Sequence, residues 1–126
     1  MTVRRWSIVL VDLDPVVGHE QQGVRRALVV SYEPFHRSGM ATVCPITTRA
    51  AKYPGEVAIP AGTAGQTLDA VVLTHQVRTI DLRRVTTAEI GGRAQVVGDA
   101  GIRRAVRSSL AHHLGLDLPA AHDGAA

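Results

Sequence analysis

Short apolar runs separated by turn residues limit this chain to a mainly β fold. The predicted strands cover residues 7–13, 26–31, 42–46, 56–59, 70–73 and 76–80. Pro45 lies inside the third run, where a proline favours an edge strand or a bulge because it has no N–H for the ladder. Runs of this length, divided by Gly, Pro and Asp, are typical of a small barrel or sandwich.

The C-terminal third changes to a helical period. Thr86-Thr87-Ala88-Glu89 has the form of a capping box and predicts a short helix that ends at Gly91-Gly92. Asp99 is the predicted N-cap of a longer helix, and Gly115 is its predicted C-cap. An apolar stripe repeats every four residues along this helix and should pack against the strands. It consists of Ile102, Val106, Leu110 and Leu114.

Length and composition indicate one domain without a membrane span. The chain has 126 residues, of which we assign 1–116 to the domain and 117–126 to a disordered, alanine-rich tail. None of its apolar runs reaches the roughly 20 residues of a membrane helix, so we expect a cytoplasmic protein. The single Cys44 is expected to be a buried thiol, because one cysteine makes neither an internal disulfide nor a zinc site.

The basic residues are almost all arginine. Of 14 Lys and Arg residues only Lys52 is a lysine, and the net charge is +3. The planar guanidinium fits phosphate oxygens and base edges, so an anionic partner is plausible, although GC-rich coding would enrich arginine as well.

A polar loop at residues 18–26 carries the groups that phosphodiester chemistry needs. Glu20 is a candidate base, His19 a candidate acid or base, and Arg25 a candidate for neutralising charge on phosphate. Gln21 is suited to hydrogen-bonding a base edge. The alternative is a loop that is merely solvated, and the loop alone does not decide between the two.

Two later segments have the same ambiguity. Thr47-Thr48 ends a predicted strand, where hydroxyls either cap loops or orient a phosphate. The segment 75–81 alternates polar and apolar residues, so its polar side chains either face solvent or line a site. Asp12 and Asp14 would share a strand face as magnesium ligands, but with no third ligand in view we expect no metal.

Taken together, these segments resemble the MazF/PemK-type toxins. The resemblance is carried by Ile8-Val9-Leu10-Val11-Asp12-Leu13-Asp14-Pro15, followed by Gly18-His19-Glu20-Gln21 and Gly23-Val24-Arg25. Val43-Cys44-Pro45-Ile46-Thr47-Thr48 is similar to the third-strand motif of that family, and Gln76-Val77-Arg78-Thr79-Ile80-Asp81 to its late-strand motif. The three motifs occur in the family's order and spacing, up to about Leu116.

The resemblance implies an SH3-like barrel of the CcdB/MazF type with a C-terminal helix, working as a homodimer. It implies a metal-independent endoribonuclease without cofactors that cuts single-stranded RNA and is held in check by a MazE-like antitoxin. By position, Arg25 and Thr47 match the catalytic residues of the family, and Glu20 matches a glutamate implicated in activity. The residues expected to bind RNA are His19, Gln21, Arg26, Thr48, Gln76 and Arg78.

Two departures from the family pattern keep alternatives open. Trp6-Ser7 replaces the usual Gly-Asp, and Arg26 replaces the proline that usually follows the catalytic arginine. We expect Arg26 to add a cation beside the active centre. The alternatives are an inactive relative that retains RNA or antitoxin binding, and a non-enzymatic topoisomerase poison of the CcdB sort. Arg25, Thr47 and Glu20 favour the ribonuclease, because a topoisomerase poison has no use for a phosphate-handling set.

Overall fold

The computed structural model describes residues 2–116. Within this range the chain forms eight strands and one α-helix, joined by loops and short 3₁₀ turns. The strands are β1 Ser7–Asp12, β2 Val24–Val29, β3 Met40–Thr47, β4 Glu56–Ile59, β5 Ala70–Leu73, β6 Arg78–Asp81, β7 Val85–Thr87 and β8 Gln95–Val96. The helix, α1, covers Ala100–His113.

All strand pairs are antiparallel and belong to one sheet with the order β4-β5-β3-β2-β1-β7. β6 is added to β3, and β8 is added to β1. Hydrogen bonds between the strands of residues 2–116 do not close the sheet into a complete cylinder, but the arrangement is barrel-like. The predicted class, mainly β with a C-terminal helix, is confirmed.

The apolar parts of β1 and β2, residues 8–11 and 27–29, are buried on both faces. Ile8 of β1 and Leu28 of β2 belong to a cluster that also contains Val106 of α1. Their neighbours Val9 and Val29 belong to a second cluster on the other face of the same strands. Successive side chains of a strand point to opposite faces, so a strand that is covered on both sides has no polar alternation.

The expectation that Pro45 marks an edge or a bulge was wrong. β3 is a central strand that pairs with β2 along one side and with two strands along the other. On that second side residues 40–43 pair with β6, whereas Ile46 and Thr47 pair with β5. Pro45 lies where β3 changes partner, so its missing N–H falls in the gap between two ladders.

The long helix forms as predicted. The carboxylate of Asp99 accepts from the N–H of Ile102 at 2.9 Å, and Gly115 follows the helix with φ of 72°. Val106 is fully buried, while Ile102 and Leu110 pack at the margin of the first cluster. Leu114 is 55% exposed and does not belong to the buried stripe, because the helix ends at His113 and the chain turns away.

The prediction that the capping box at residues 86–89 begins a short helix ending at Gly91-Gly92 was wrong. Val85–Thr87 is β7, which pairs with β1, and the hydroxyl of Thr86 donates to the carbonyl of Leu10. Pairing with β1 and the burial of Val85 in the second cluster therefore stabilise this segment as a strand more than the local capping pattern stabilises it as a helix. Gly91-Gly92 has positive φ at both residues and makes a turn between Ile90 and Arg93, rather than ending a helix.

The predicted strand at 76–80 begins later than expected. Residues 74–76 form a 3₁₀ turn, after which β6 pairs with residues 40–43 of β3. The turn carries the chain from β5 to β6 across the point where β3 changes partner. The predicted tail at 117–126 lies outside the described residues.

Cys44 is buried as predicted, and burial raises the pKa of its thiol to about 12. The thiolate, which is the reactive form, is therefore suppressed at neutral pH. Among the described residues, no helix has the length and apolar character needed to cross a membrane.

Glu56 at the start of the edge strand β4 is the most perturbed carboxylate of the described chain. Its side chain is fully buried and accepts from both terminal nitrogens of Arg49, at 2.8 and 2.5 Å. The backbone N–H groups of Lys52 and Tyr53 also donate to it. The Arg49 hydrogen bond, reinforced by these N–H groups, lowers the pKa of Glu56 from 4.5 to about 2.

We expect the free energy of unfolding to fall as the pH drops from 4.5 toward 2. Over this range the unfolded chain binds a proton at Glu56 that the folded protein excludes, so the stabilisation is complete above 4.5 and lost as pH falls through the folded pKa. Urea unfolding across this range measures the loss, and Glu56→Gln should flatten it. Glu33→Gln, at an exposed glutamate, should retain the wild-type slope. An unchanged slope in Glu56→Gln would contradict the assignment.

Candidate active site

The polar loop between β1 and β2 is closed at its base by backbone and carboxylate hydrogen bonds. The N–H of Leu13 donates to the carbonyl of Gly23 at 3.0 Å, and the N–H of Gly23 donates to Asp14 Oδ1 at 2.9 Å. Asp12 Oδ1 accepts from the N–H of Asp14 at 3.0 Å. Gly18 and Gly23 have φ of 59° and 76°, conformations that other residues rarely adopt, which explains the glycines at the ends of this loop.

Two arginines from the later part of the chain contact the start of the loop. Arg84 donates to the carbonyls of Asp12 and Asp14, and Arg78 donates to the carbonyl of Leu13 at 3.3 Å. These contacts hold the backbone at the start of the loop in place. Arg84 was not among the residues predicted from the sequence, because it lies 70 residues or more from its partners and no local pattern indicates the contact.

Gln76 connects the loop to the turn before β6. Its Oε1 accepts from the N–H of Gln21 at 2.8 Å, and its Nε2 lies 3.4 Å from the carbonyl of His19. The sequence predicted Gln76 as an RNA contact, but both ends of its amide are engaged with the loop backbone. In the structure Gln76 therefore positions the loop through these two contacts.

A cavity of about 380 Å³ lies between the loop and the segment 75–78. It brings together four residues that the sequence predicted for the site, namely Glu20, Gln21, Gln76 and Arg78. Its other lining residues are Leu13, Pro45, His75 and Val77. The exposed His75 was missed as a site residue, although it directly precedes one of the three motifs.

Glu20 faces this cavity from a tight turn of the loop. Its Oε1 accepts from the N–H of Val17 at 2.6 Å, and its own N–H donates to the carbonyl of Val17 at 3.3 Å. The residue is exposed to solvent. The turn holds the carboxylate in one place and leaves it accessible to a ligand in the cavity.

Arg25 and Thr47 lie at the same end of neighbouring strands. The last β2–β3 pair is Ala27 with Pro45, and Arg25 and Thr47 each lie two residues further toward the loop. Two residues along a strand return to the same face, so both side chains share the face of Pro45, which lines the cavity. Arg25 Nε donates to the carbonyl of Gln22 at 3.0 Å, which leaves its terminal nitrogens for another acceptor.

The structure does not bring every predicted residue into this arrangement. Arg26 pairs with Leu10 and lies on the opposite face of β2 from Arg25, so a role for it at the active centre stays a prediction. Thr48 is exposed just after β3, and His19 is exposed in the loop. Neither of these two residues lines the cavity.

The carboxylates considered as metal ligands have other partners. Asp12 and Asp14 accept backbone N–H groups at the base of the loop. Within residues 2–116, no three His, Cys, Asp or Glu side chains come together as a metal-binding group.

Comparison with known proteins identifies the family. The model of the PemK-like, MazF-like toxins of type II toxin–antitoxin systems matches residues 4–110. The chain belongs to this family. It is 41% identical over 103 residues to the endoribonuclease toxin ChpB of Escherichia coli strain K12, covering 79% of this chain and 88% of ChpB. It is 44% identical over 89 residues to the endoribonuclease EndoA of Bacillus subtilis strain 168, covering 68% of this chain and 77% of EndoA.

Solved structures agree with this membership. MazF from Deinococcus radiodurans superposes with a TM-score of 0.75 at 31% identity, covering 91% of this chain and 98% of that one. A MazE–MazF complex from the same organism gives 0.70 at 26% identity, covering 93% and 99%. The protein is therefore a MazF-like toxin and an endoribonuclease of a toxin–antitoxin system. The roles of its individual residues stay predictions.

Proposed function

We propose that this MazF-like toxin cuts single-stranded RNA at a short sequence, without a metal ion, in the cytoplasm, and thereby inhibits translation and growth. The observation that carries the proposal is the placement of Arg25 and Thr47 at adjacent strand ends, on the same face as Pro45, which lines the cavity although they do not. A guanidinium and a hydroxyl on one face at adjacent strand ends suit a phosphate between two nucleotides.

The chemistry uses the ribose itself as the nucleophile. The 2′-hydroxyl attacks the adjacent phosphorus, the bond to the 5′-oxygen of the next nucleotide breaks, and the products carry a 2′,3′-cyclic phosphate and a 5′-hydroxyl. Arg25 donates to the phosphate oxygens and stabilises the charge that develops on them, because arginine remains protonated throughout. The hydroxyl of Thr47 fixes the phosphate in line with the attack.

The proton of the 2′-hydroxyl needs an acceptor, and the loop offers two. Glu20 faces the cavity, with one carboxylate oxygen held by the N–H of Val17. His19 is its neighbour in the loop and has an ionisable ring. We assign the acceptance of this proton to one of these two residues, and the departing 5′-oxygen gains its proton from solvent or from the other residue. Both residues fit a mechanism without a metal.

The cavity supports recognition of the RNA sequence. Its lining includes Gln21 and Arg78, whose side chains carry an amide and a guanidinium, and Leu13 and Val77, which would supply apolar surface for the face of a base. Gln76 holds the backbone of Gln21 and so fixes the wall from which its side chain projects. A pocket with a few oriented polar groups and apolar sides is the usual form of a site for a small planar ligand.

The partners of the toxin follow from its relatives. Structures similar to this chain include MazE–MazF complexes, and we propose that a MazE-like antitoxin binds this toxin and blocks its RNA site. We further propose that the toxin works as a homodimer.

Cleavage of a long single-stranded RNA in EDTA tests the proposal. We expect fragments with 2′,3′-cyclic phosphate and 5′-hydroxyl ends, cut at one recurring sequence. Cleavage that disappears in EDTA and returns with Mg²⁺ would contradict the metal-independent mechanism, and random cut sites would contradict sequence specificity. Inhibition of a topoisomerase without any RNA cleavage would favour the CcdB-like alternative.

A further inference from the structure

A cluster of three arginines surrounds the side chain of Trp6, just before the start of β1. The guanidinium carbons of Arg5, Arg103 and Arg107 lie 5.4, 5.5 and 5.3 Å from the centre of the Trp6 ring. Two of the arginines come from α1 and one from the N-terminal segment. We call this group the Trp6 arginine cluster.

Two members of the cluster are held in place by the backbone. Arg5 Nε donates to the carbonyl of Val30 at 2.9 Å, and Arg103 Nε donates to the carbonyl of Val97 at 2.6 Å. Each bond uses Nε and leaves the two terminal nitrogens of the guanidinium for other acceptors. Guanidiniums that are already oriented lose less entropy when they bind an anion.

The positive charges of the cluster lie close together without an acidic partner. Because each guanidinium is within 5.5 Å of one point, no two of them are farther apart than twice that distance. Charges at such distances are only partly screened, since the Debye length is about 10 Å at 0.1 M salt. In residues 2–116 the arginine–carboxylate ion pairs involve Glu56 and Asp81, and neither belongs to the cluster.

The acid nearest in sequence, Asp99, forms no ion pair with the cluster. Asp99 uses its carboxylate to cap α1 through the N–H of Ile102, and the first turn of the helix contains no acidic residue. The indole compensates part of the repulsion, because each cation over an aromatic ring is stabilised by about 0.5–1 kcal/mol at exposed sites. A bound anion would reduce the repulsion that remains among the three guanidiniums.

We propose that the Trp6 arginine cluster binds phosphates of the RNA strand that flanks the cleaved segment. This proposal rests on the proposed function, and it adds a second RNA contact away from the active site. The cluster lies at the start of β1 and the loop at its end, so the six residues of the strand separate the two sites by about 20 Å. Only an RNA longer than the recognition sequence would reach both.

The buried ring favours RNA phosphates over a protein partner. Trp6 is 5% exposed, so it offers no surface on which a base or an apolar side chain would stack. The groups of the cluster that remain accessible to a ligand are therefore the charged guanidiniums. Protein interfaces usually depend on exposed aromatic anchors, whereas phosphate contacts need only positive groups and carry no sequence information.

Salt-dependent binding of a non-cleavable strand tests the cluster directly. The probe is a 20-residue 2′-O-methyl oligouridine, which has the phosphates of RNA but no free 2′-hydroxyl. For Arg103→Gln/Arg107→Gln we expect roughly tenfold weaker binding at low salt, and a plot of log affinity against log salt that is shallower by about 1.4, from the loss of two phosphate contacts. The matched control is Arg93→Gln/Arg104→Gln, which removes two exposed charges that do not lie over the ring.

Equal binding by the two double variants would overturn the proposal. Arg107→Gln alone provides a second test, since Arg107 has no part in the backbone contact that Arg103 makes. It should show about half the change in slope, in a variant that remains folded at the temperature of the binding assay. Weaker binding of an acidic peptide together with unchanged binding of the oligouridine would also overturn it, and would indicate a protein partner.

Cleavage of substrates of two lengths separates this proposal from the proposed function. Wild type should cut a long RNA with a higher kcat/KM than an oligonucleotide limited to the recognition sequence. The double variant Arg103→Gln/Arg107→Gln should lose that preference while cutting the short substrate at the wild-type rate. If wild type cuts neither substrate, the proposed function fails. If the double variant retains the length preference, only the cluster proposal fails.

Discussion

Replacing Arg25 by alanine is expected to lower kcat for RNA cleavage about a thousandfold, as is typical when a donor to a developing oxyanion or phosphate charge is removed. Its terminal nitrogens have no part in the hydrogen bond that its Nε makes to the Gln22 carbonyl, so they are available to a phosphate. The effect should fall on kcat more than on KM, because the negative charge is greatest in the transition state. Single-turnover cleavage of a labelled oligonucleotide in EDTA measures it.

Arg26→Ala is the matched control for this experiment. The two arginines are adjacent on β2, both exposed and equally charged, but their side chains lie on opposite faces of the strand. We expect Arg26→Ala to change the cleavage rate by less than about threefold, as for an ordinary surface substitution. Equal losses in the two variants would show that general positive charge, and not the face of β2, determines activity.

The strands were predictable because buried strands appear in the sequence as local runs of apolar residues. Residues 8–11 and 27–30 are apolar at every position since each strand is covered on both faces, and this pattern needs no knowledge of the partner strands. The N-cap of α1 was predictable for the same reason, as the bond from Asp99 to Ile102 spans three residues. Local physics determines such features, and the sequence shows them directly.

Long-range competition explains the predictions that were wrong. Thr86 and Glu89 carry a genuine capping pattern, yet β1 had a free side, and pairing with it buries Val85. A short helix contributes little unless its face packs, whereas a strand gains ladder hydrogen bonds and burial together. Similarly, Pro45 was tolerated inside β3 because the partner strand changes at that residue, a feature of topology and not of local sequence.

The candidate site was predictable in its residue types and less so in its geometry. Glu20, Gln21 and Arg78 line one cavity, as the three motifs together suggested. Gln76 and Arg84 position the loop through contacts between residues that are 55 to 72 positions apart in the sequence. No local spacing of residues indicates such contacts. The position of Arg26 depended on strand register, since a shift of one residue would exchange its face with that of Arg25.

The backbone at Trp6 explains how the chain accommodates a departure from the family pattern. Trp6 has φ of 68°, the left-handed region in which glycine is unstrained and other residues lose about 1–2 kcal/mol. Its N–H donates to Val29 and its carbonyl accepts from Val97, so the conformation is held by the sheet. The buried indole and its arginine contacts offset the strain, and the tryptophan occupies a position whose backbone geometry suits glycine.

Trp6→Ala is therefore expected to lower the free energy of unfolding by about 3–5 kcal/mol, as for other large-to-small substitutions of buried aromatic residues. Trp6→Gly should cost about 0.5–1 kcal/mol less than Trp6→Ala, although glycine is the smaller residue, because it removes the strain that alanine retains. The control is Val106, which is buried in the middle of α1. There we expect the opposite order, with the free energy of unfolding of Val106→Gly about 1 kcal/mol lower than that of Val106→Ala. Urea unfolding of the four variants measures both differences. If alanine proved better than glycine at residue 6 as well, the left-handed conformation would not be a source of strain, and the compensation by the indole would have no basis.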